Sequence, residues 1–180
     1  RPYISYAVQK VAQFADKPTT SAIAAGKRIL KYISGTKDVG IIYRPENEEA
    51  FRLTYQKVLD EHNGESSETV KELPDHVGFT DSDFAGDTIT LRSTSGSIIY
   101  FRGTAIAWSC KKQRNRAIST TEAEYCAMFD TIRVTRSNGF LNWYLGSGAK
   151  LPLIFADNQS AIAISKSKLV TKKSKHFVLW

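Results

Sequence analysis

The chain has 180 residues, of which 42% are hydrophobic and 24% charged, and its net charge is +7. This composition predicts one folded domain of ordinary size with a sizeable core, and it argues against a disordered chain. No apolar run approaches the ~20 residues of a membrane span, and the N-terminus has no secretory-signal pattern, which predicts a cytoplasmic protein without a membrane partner. The two cysteines, Cys110 and Cys126, are too few for a disulfide framework and favour a reducing compartment.

The charges are unevenly distributed along the chain. Residues 44–75 contain nine acids and four bases, whereas residues 88–121 contain six bases and residues 158–180 five lysines, both without any acid. Clustered bases of this kind indicate a polyanionic partner, most simply nucleic acid. A solvated basic face without a partner is the alternative.

The first 43 residues predict two helices and a short strand. Lys17 and Pro18 separate the helices, and Thr19, Thr20 or Ser21 can cap the second, which should end at Gly35. Residues 39–43 form a β-like run. The acidic stretch 44–75 predicts a linker or insertion with a mobile loop at an Asn-Gly turn and room for one short element.

The pattern after residue 75 is that of an α/β domain. It predicts a strand at 77–81, a hairpin of strands 96–101 and 104–109, a long helix from Thr120 or Thr121 to about residue 145, a strand at 151–156 and a short helix at 160–165. This order predicts a mixed β-sheet covered by helices.

Three acids stand at the ends of these elements. Asp81 closes the first strand, Glu124 lies near the start of the long helix and Asp157 follows the last strand. If these carboxylates converge, their mutual repulsion requires cations, and two Mg²⁺ ions about 4 Å apart can drive phosphodiester hydrolysis. Alternatively, Thr121 and Glu124 form a capping box, and both aspartates are turn residues.

Six motifs stand in one order along the chain. They are FTDSDFAGD (79–87), RSTSG (92–96), AWSCKKQ (107–113), STTEAEY (119–125), ADNQSA (156–161) and KH (175–176). In this order they closely resemble the ribonuclease H region of copia-type retrotransposon polyproteins, over about residues 76–177. Residues 1–43, with RPYI, AVQ, KRILKYISGT and GIIY, resemble the end of the reverse transcriptase and its connection in the same polyproteins.

The resemblance implies a ribonuclease H-like fold and cleavage of the RNA strand of RNA–DNA hybrids in a cytoplasmic retrotransposon particle. It divides the chain into a connection segment (1–43), an acidic linker (44–75) and a ribonuclease H-like domain (76–180). Asp81, Glu124 and Asp157 are the implied catalytic acids and ligands of Mg²⁺, with Mn²⁺ as a substitute. Glu124 is preferred over Glu122 because Glu124 and Ala127 have the family's Glu-x-x-Ala spacing. The implied partners are the hybrid and the reverse transcriptase portion of the same polyprotein.

Polar and basic residues near these acids predict the substrate contacts. The predicted nucleic-acid-binding residues are Lys111, Lys112, Gln113, Arg114, Arg116, Asn158 and Gln159. Trp108 is either an aromatic contact beside these bases or a core residue. Asp83 and Asp87 are either near the metal or only turn residues.

The C-terminal residues depart from the family pattern. Where the family continues Lys-His-Ile-Asp and a further helix, this chain has Lys175, His176, Phe177 and Val178 and ends at Trp180. Val178 cannot bind a metal, which predicts a domain truncated at its C-terminus that binds hybrid but cleaves it slowly. A catalytically impaired nucleic-acid-binding or structural relic of the polyprotein is the alternative function.

Overall fold

A four-stranded mixed sheet forms the centre of the structure, a computed structural model that describes residues 1–63, 72–144 and 151–167. The strands are β1 (His76–Asp83), β2 (Thr94–Phe101), β3 (Thr104–Lys112) and β4 (Leu153–Phe155), in the spatial order β3-β2-β1-β4. β2 pairs antiparallel with β1 and β3, whereas β4 pairs parallel with β1. The predicted α/β class and the mixed sheet are confirmed.

Within the described ranges, five α-helices accompany the sheet. They are α1 (Ser5–Ala12), α2 (Thr20–Gly35), α3 (Pro45–Asn63), α4 (Thr120–Tyr144) and α5 (Gln159–Lys166), and a 3₁₀ turn (Pro2–Ile4) precedes α1. The two N-terminal helices and the end of α2 at Gly35 are confirmed. Of the three possible caps of α2, Thr19 is the one used, because its hydroxyl accepts the Ala22 N–H at 3.2 Å. None of the helices in the described ranges has the length and apolar character needed to cross a bilayer.

The β2–β3 hairpin turns at Arg102 and Gly103. Both residues have positive φ angles, 45° and 74°, as a two-residue turn between right-twisted strands requires. The predicted hairpin is therefore confirmed, although its strands are longer than expected. β1 is also longer and continues past Asp81 to Asp83, because the antiparallel ladder with β2 extends to the pair Asp83–Thr94.

The segment before the sheet differs from the sequence prediction. Residues 39–43 form no strand; the Tyr43 hydroxyl instead donates to the Ala105 carbonyl at 3.1 Å. The short element expected in the acidic stretch is α3, a helix of 19 residues. The predicted loop at residues 62–68 is wrong for its first two residues, which belong to α3; its remainder lies outside the described residues, as do His176 and Val178.

α3 contributes to the core rather than standing apart from it. Phe51 and Tyr55 of α3 pack with Phe79 of β1, with ring centroids 6.3 and 4.9 Å from that of Phe79. The buried cluster beneath them comprises Leu59, Leu73 and Val77. The α3 apolar positions recur at helical spacing, so the high charge of this segment masked an amphipathic helix. The division of the chain into domains remains a prediction.

α4 covers the opposite face of the sheet. A side chain at Gly78 of β1 would meet Thr131 Cγ2 of α4 at 3.3 Å, so the absence of a Cβ allows the helix its close approach. Thr131 and Thr135 are fully buried there, and each hydroxyl donates to the carbonyl four residues earlier. This packing fixes the first turns of α4 relative to the end of β1.

Candidate metal and nucleic-acid site

Two of the predicted acids meet because β1 and β4 run parallel. Phe79 pairs with Phe155 in the ladder, and Asp81 and Asp157 each follow two residues later. Neighbouring strands lie about 4.8 Å apart, so the same step along both strands leaves the two carboxylates side by side. Both residues are exposed at this end of the sheet.

The third acid comes from α4. One carboxylate oxygen from each of Asp81, Glu124 and Asp157 lies within 4.8 Å of the other two. Only Glu124 is buried, with 7% of its surface exposed. The structure thus brings together the three acids that the sequence singled out, and their binding of a metal remains a prediction.

The two oxygens of Glu124 have different surroundings. Oε1 accepts hydrogen bonds from the Ser82 hydroxyl at 2.8 Å and from the Ser82 N–H at 3.2 Å. Oε2 is buried and has no hydrogen-bond partner in the described part of the chain. Burial raises the pKa of Glu124; the bonds from Ser82 oppose this, whereas the charges of Asp81 and Asp157 raise the pKa further.

This set of groups suits a hard divalent cation. Three carboxylate oxygens at close range repel one another, and the unpaired Glu124 Oε2 lacks a compensating donor. A cation would relieve both costs, and Mg²⁺ prefers carboxylate oxygens while it retains several waters. Asp81, Glu124 and Asp157 are therefore the residues that could hold it.

Glu122 and Glu124 have different roles at the start of α4. The Ser119 hydroxyl accepts the Glu122 N–H at 3.1 Å, and Glu122 accepts the Ile118 N–H at 2.7 Å. The predicted caps Thr120 and Thr121 are therefore wrong: Ser119 caps the helix, and Glu122 accepts the N–H of the residue before the cap. Ser119 and Glu122 have the S-x-x-E spacing of a capping box, so the sequence contained the signal for this assignment.

The acids of the loop after β1 have other roles. Asp87 forms an ion pair with Lys112 and accepts the Thr90 N–H at 2.7 Å, which holds the pKa of Asp87 far below its usual range. The Asp83 carboxylate lies against Gly86, where a Cβ would overlap it. Neither residue belongs to the three-acid cluster found in the described residues.

The predicted nucleic-acid contacts fall into two groups. Lys111, Arg114, Arg116 and Gln159 are exposed. The other three have partners within the protein, as follows: Lys112 pairs with Asp87, Gln113 donates to Ser95 Oγ and the Ala123 carbonyl, and Asn158 caps α5 by accepting the Ala161 N–H. Binding of nucleic acid by these residues remains a prediction.

Trp108 is separated from the basic residues that follow it. Side chains alternate along β3, so Trp108 and Lys111 project from opposite faces of the sheet. Trp108 is 37% exposed and lines a cleft of about 810 Å³ between the sheet and the N-terminal helical segment. Its other walls include Tyr3, Tyr6 and Tyr100, and Asp81 lies at its margin. Trp108 is therefore neither fully core nor adjacent to the Lys111 side chain.

Curated relatives of the chain include polyproteins of plant transposons. The chain is 31% identical to the retrovirus-related Pol polyprotein from transposon RE2 of Arabidopsis thaliana, over 99% of its own length and 11% of the relative. It is 33% identical to the corresponding polyprotein from transposon TNT 1-94 of Nicotiana tabacum, over 98% of its length and again 11% of the relative. The chain therefore spans about a tenth of these polyproteins.

A shorter relative is matched over most of its length. The secreted RxLR effector protein 161 of Plasmopara viticola is 32% identical over 77% of this chain and 86% of the relative. No protein-family model matches the chain. No solved structure matches it either.

Proposed function

We propose that this chain, which is similar to one segment of retrovirus-related Pol polyproteins of plant transposons, is a ribonuclease H domain of a copia-type retrotransposon polyprotein. Its reaction is endonucleolytic hydrolysis of the RNA strand of RNA–DNA hybrids during reverse transcription. The observation that carries the proposal is the cluster of Asp81, Glu124 and Asp157, whose oxygens lie within 4.8 Å of one another. Mg²⁺ is the proposed cofactor, with Mn²⁺ as a substitute.

The three acids and Ser82 have different roles in the proposed reaction. Asp81, Glu124 and Asp157 would hold the divalent cations, which would supply an activated water as nucleophile and charge neutralisation at the leaving 3′ oxygen. Ser82 fixes Glu124 by two hydrogen bonds to Oε1, which leaves Oε2 available to hold a cation. Asp81 and Asp157 are exposed at the ends of adjacent strands and are accessible to a phosphodiester from solvent.

The surroundings of the cluster support a polyanionic substrate. Arg114 and Arg116 are exposed in the segment between β3 and α4, close in sequence to the cap of the helix that bears Glu124. Basic residues beside a carboxylate-bound cation attract phosphates whose charge the carboxylates alone would repel. Contacts to the 2′-hydroxyl would select the RNA strand, and the exposed Gln159, two residues after Asp157, is the proposed source of such a contact.

The N-terminal helical segment supports an association with the reverse transcriptase portion of the polyprotein. Leu30 of α2 is 66% exposed, and Ile23 and Tyr32 of the same helix are 47% and 45% exposed. Apolar exposure of this extent on one helix is typical of a surface that another protein segment covers.

Cleavage of a labelled RNA–DNA hybrid tests the proposed function. We expect Mg²⁺-dependent cleavage of the RNA strand, and a loss of about 100-fold or more in Asp157→Asn, because one metal-binding charge is removed. Asp38→Asn is the matched control, since Asp38 is exposed in a different part of the chain. If the unmodified chain binds the hybrid but does not cleave it, the alternative function, a nucleic-acid-binding or structural relic, is favoured over a nuclease.

A further inference from the structure

A second cavity lies on the α4 face of the sheet, beside the edge strand β3. It has a volume of about 310 Å³. The polar residues that line it are Ser95, Ser97, Ser109, Lys111, Asp130, Arg133 and Ser137. None of these residues belongs to the three-acid cluster.

The β-ladder explains why these side chains share one surface. Ser97 pairs directly with Ser109, and Ser95 pairs with Lys111, so all four side chains project from the same face of the sheet. Ala127, Asp130 and Val134 of α4 recur at helical spacing and form the facing wall. The cavity is therefore built from two strands and one helix rather than from a loop.

The donors of this cavity are free to bind an anion. Lys111 is exposed and forms no ion pair with any described residue, in contrast to Lys112, which is held by Asp87. Ser97 and Ser109 are half-buried, and among the described residues neither side chain forms a hydrogen bond. Arg133 reaches only Asp130, at 3.7 Å and in a solvent-exposed position, where an ion pair is weak.

We propose that this cavity binds a phosphodiester group of the nucleic-acid backbone. An ammonium, a guanidinium and two hydroxyls are the donor set that proteins use for phosphate oxygens, and the guanidinium can bind two of them at once. The inference rests on the proposed function and extends it, because it assigns Ser97, Ser109 and Arg133 to substrate binding. It also gives the direction in which the nucleic acid leaves the carboxylate cluster.

The ladder gives the distance between the two sites. Ser82, which holds Glu124, pairs with Ser95, and Ser95 pairs with Lys111. Two strand spacings separate Ser82 from Lys111, or about 10 Å. This distance is short enough for one duplex to reach both the carboxylates and the cavity.

The effect of removing the Asp130 charge distinguishes an anionic ligand from a cationic one. Its carboxylate lines the cavity and competes with a phosphate for Arg133. Removal of this charge by Asp130→Asn should therefore tighten hybrid binding. A site for a cationic group would show the opposite effect, since it would lose its acid.

Hybrid binding measured across a range of salt concentrations tests the proposal. The measurements use a fluorescent RNA–DNA hybrid and the Asp157→Asn chain, in which cleavage should be slower by about 100-fold or more. Lys111→Gln and Arg133→Gln should each lower the slope of log K against log salt by about 0.9, the value for one lost phosphate contact. Ser97→Ala and Ser109→Ala should each weaken binding by about 2- to 10-fold, as loss of one hydrogen bond does, with the slope unchanged.

Arg136→Gln is the matched control, because Arg136 is exposed on α4 and does not line the cavity. The inference would be overturned if the salt slopes of Lys111→Gln and Arg133→Gln equalled that of Arg136→Gln. Weaker hybrid binding by Asp130→Asn, or no hybrid binding at all, would also overturn it. The proposed function has its own criterion, Mg²⁺-dependent cleavage by the unmodified chain. If the unmodified chain cleaves but the salt slopes of the variants are unaltered, only the phosphate-binding role of the cavity is refuted. If the slopes are altered but the unmodified chain does not cleave, only the nuclease function is refuted.

Discussion

Ser82 donates both its hydroxyl and its backbone N–H to the same oxygen of Glu124, at 2.8 and 3.2 Å. The two bonds join the end of β1 to the start of α4, and they leave the other Glu124 oxygen unpaired. Ser82 lies between Asp81 and Asp83 in the sequence, and of these three residues the sequence pattern makes only the two acids candidate metal ligands. Its role was not predicted, because a hydroxyl between two acids has no distinctive pattern.

Ser82→Ala tests whether this contact orients Glu124. Loss of a hydrogen bond to a charged group costs about 1.5–3 kcal/mol, which corresponds to about 10- to 100-fold lower cleavage at saturating Mg²⁺. Ser82→Thr retains the hydroxyl and should restore most of the activity. Equal activity of Ser82→Ala and the unmodified chain would show that Glu124 needs no such support.

Glu124→Gln tests the electrostatic cost of the cluster. Because the pKa of Glu124 is raised on folding, the folded chain binds this proton more tightly, and stability without metal increases as pH falls through the raised value. In EDTA at neutral pH, Glu124→Gln should therefore have a higher thermal midpoint than the unmodified chain, and the difference should shrink on acidification.

Mg²⁺ should reverse this order. A ligand that binds only the folded state raises the midpoint, and the unmodified chain retains all three charges to bind it. Thermal unfolding with and without Mg²⁺ measures both effects. A midpoint of Glu124→Gln below that of the unmodified chain in EDTA would contradict the proposed repulsion.

Asp87→Asn tests the ion pair with Lys112. Because folding lowers the pKa of Asp87, its charge stabilises the protein above the ordinary Asp pKa of about 3.9, and this stabilisation is lost as pH falls below it. The variant should unfold at a lower temperature than the unmodified chain at pH 7, with a smaller difference near pH 3. Asp38→Asn, which changes an exposed acid, should show no such pH-dependent difference.

Leu59→Ala tests whether α3 belongs to the core. Leu59 is 6% exposed within the buried cluster, and truncation of a buried leucine costs about 2–5 kcal/mol of unfolding free energy. Leu53→Ala is the control on the same helix, because Leu53 is 65% exposed and its truncation should change stability by about 0.5 kcal/mol or less. Equal effects of the two variants in denaturant titrations would support the linker interpretation of this segment.

The sequence predicted most elements after residue 75, since their signals are local. The Arg102-Gly103 turn between two β runs specified the hairpin, and the apolar positions of α4 specified a long helix. Local signals were insufficient where several residues of one type stand together, as the charged residues of α3 and the hydroxyl residues at the start of α4 do. The charges of α3 masked its length and its contribution to the core, although its apolar positions predicted a short element. Three adjacent hydroxyl residues left the cap of α4 ambiguous, and Ser119 is the one used.

By itself the sequence determined which carboxylates to examine, because Asp81, Glu124 and Asp157 stand at the ends of recognisable elements. Only the tertiary structure decided that they meet, through the parallel pairing of β4 with β1 and the packing of α4 on Gly78. It also decided which basic residues are available, since Lys112 is held by Asp87 and Lys111 is not. The physical reason is that strand pairing, side-chain facing and charge pairing depend on contacts between residues far apart in the chain, which a local pattern does not specify.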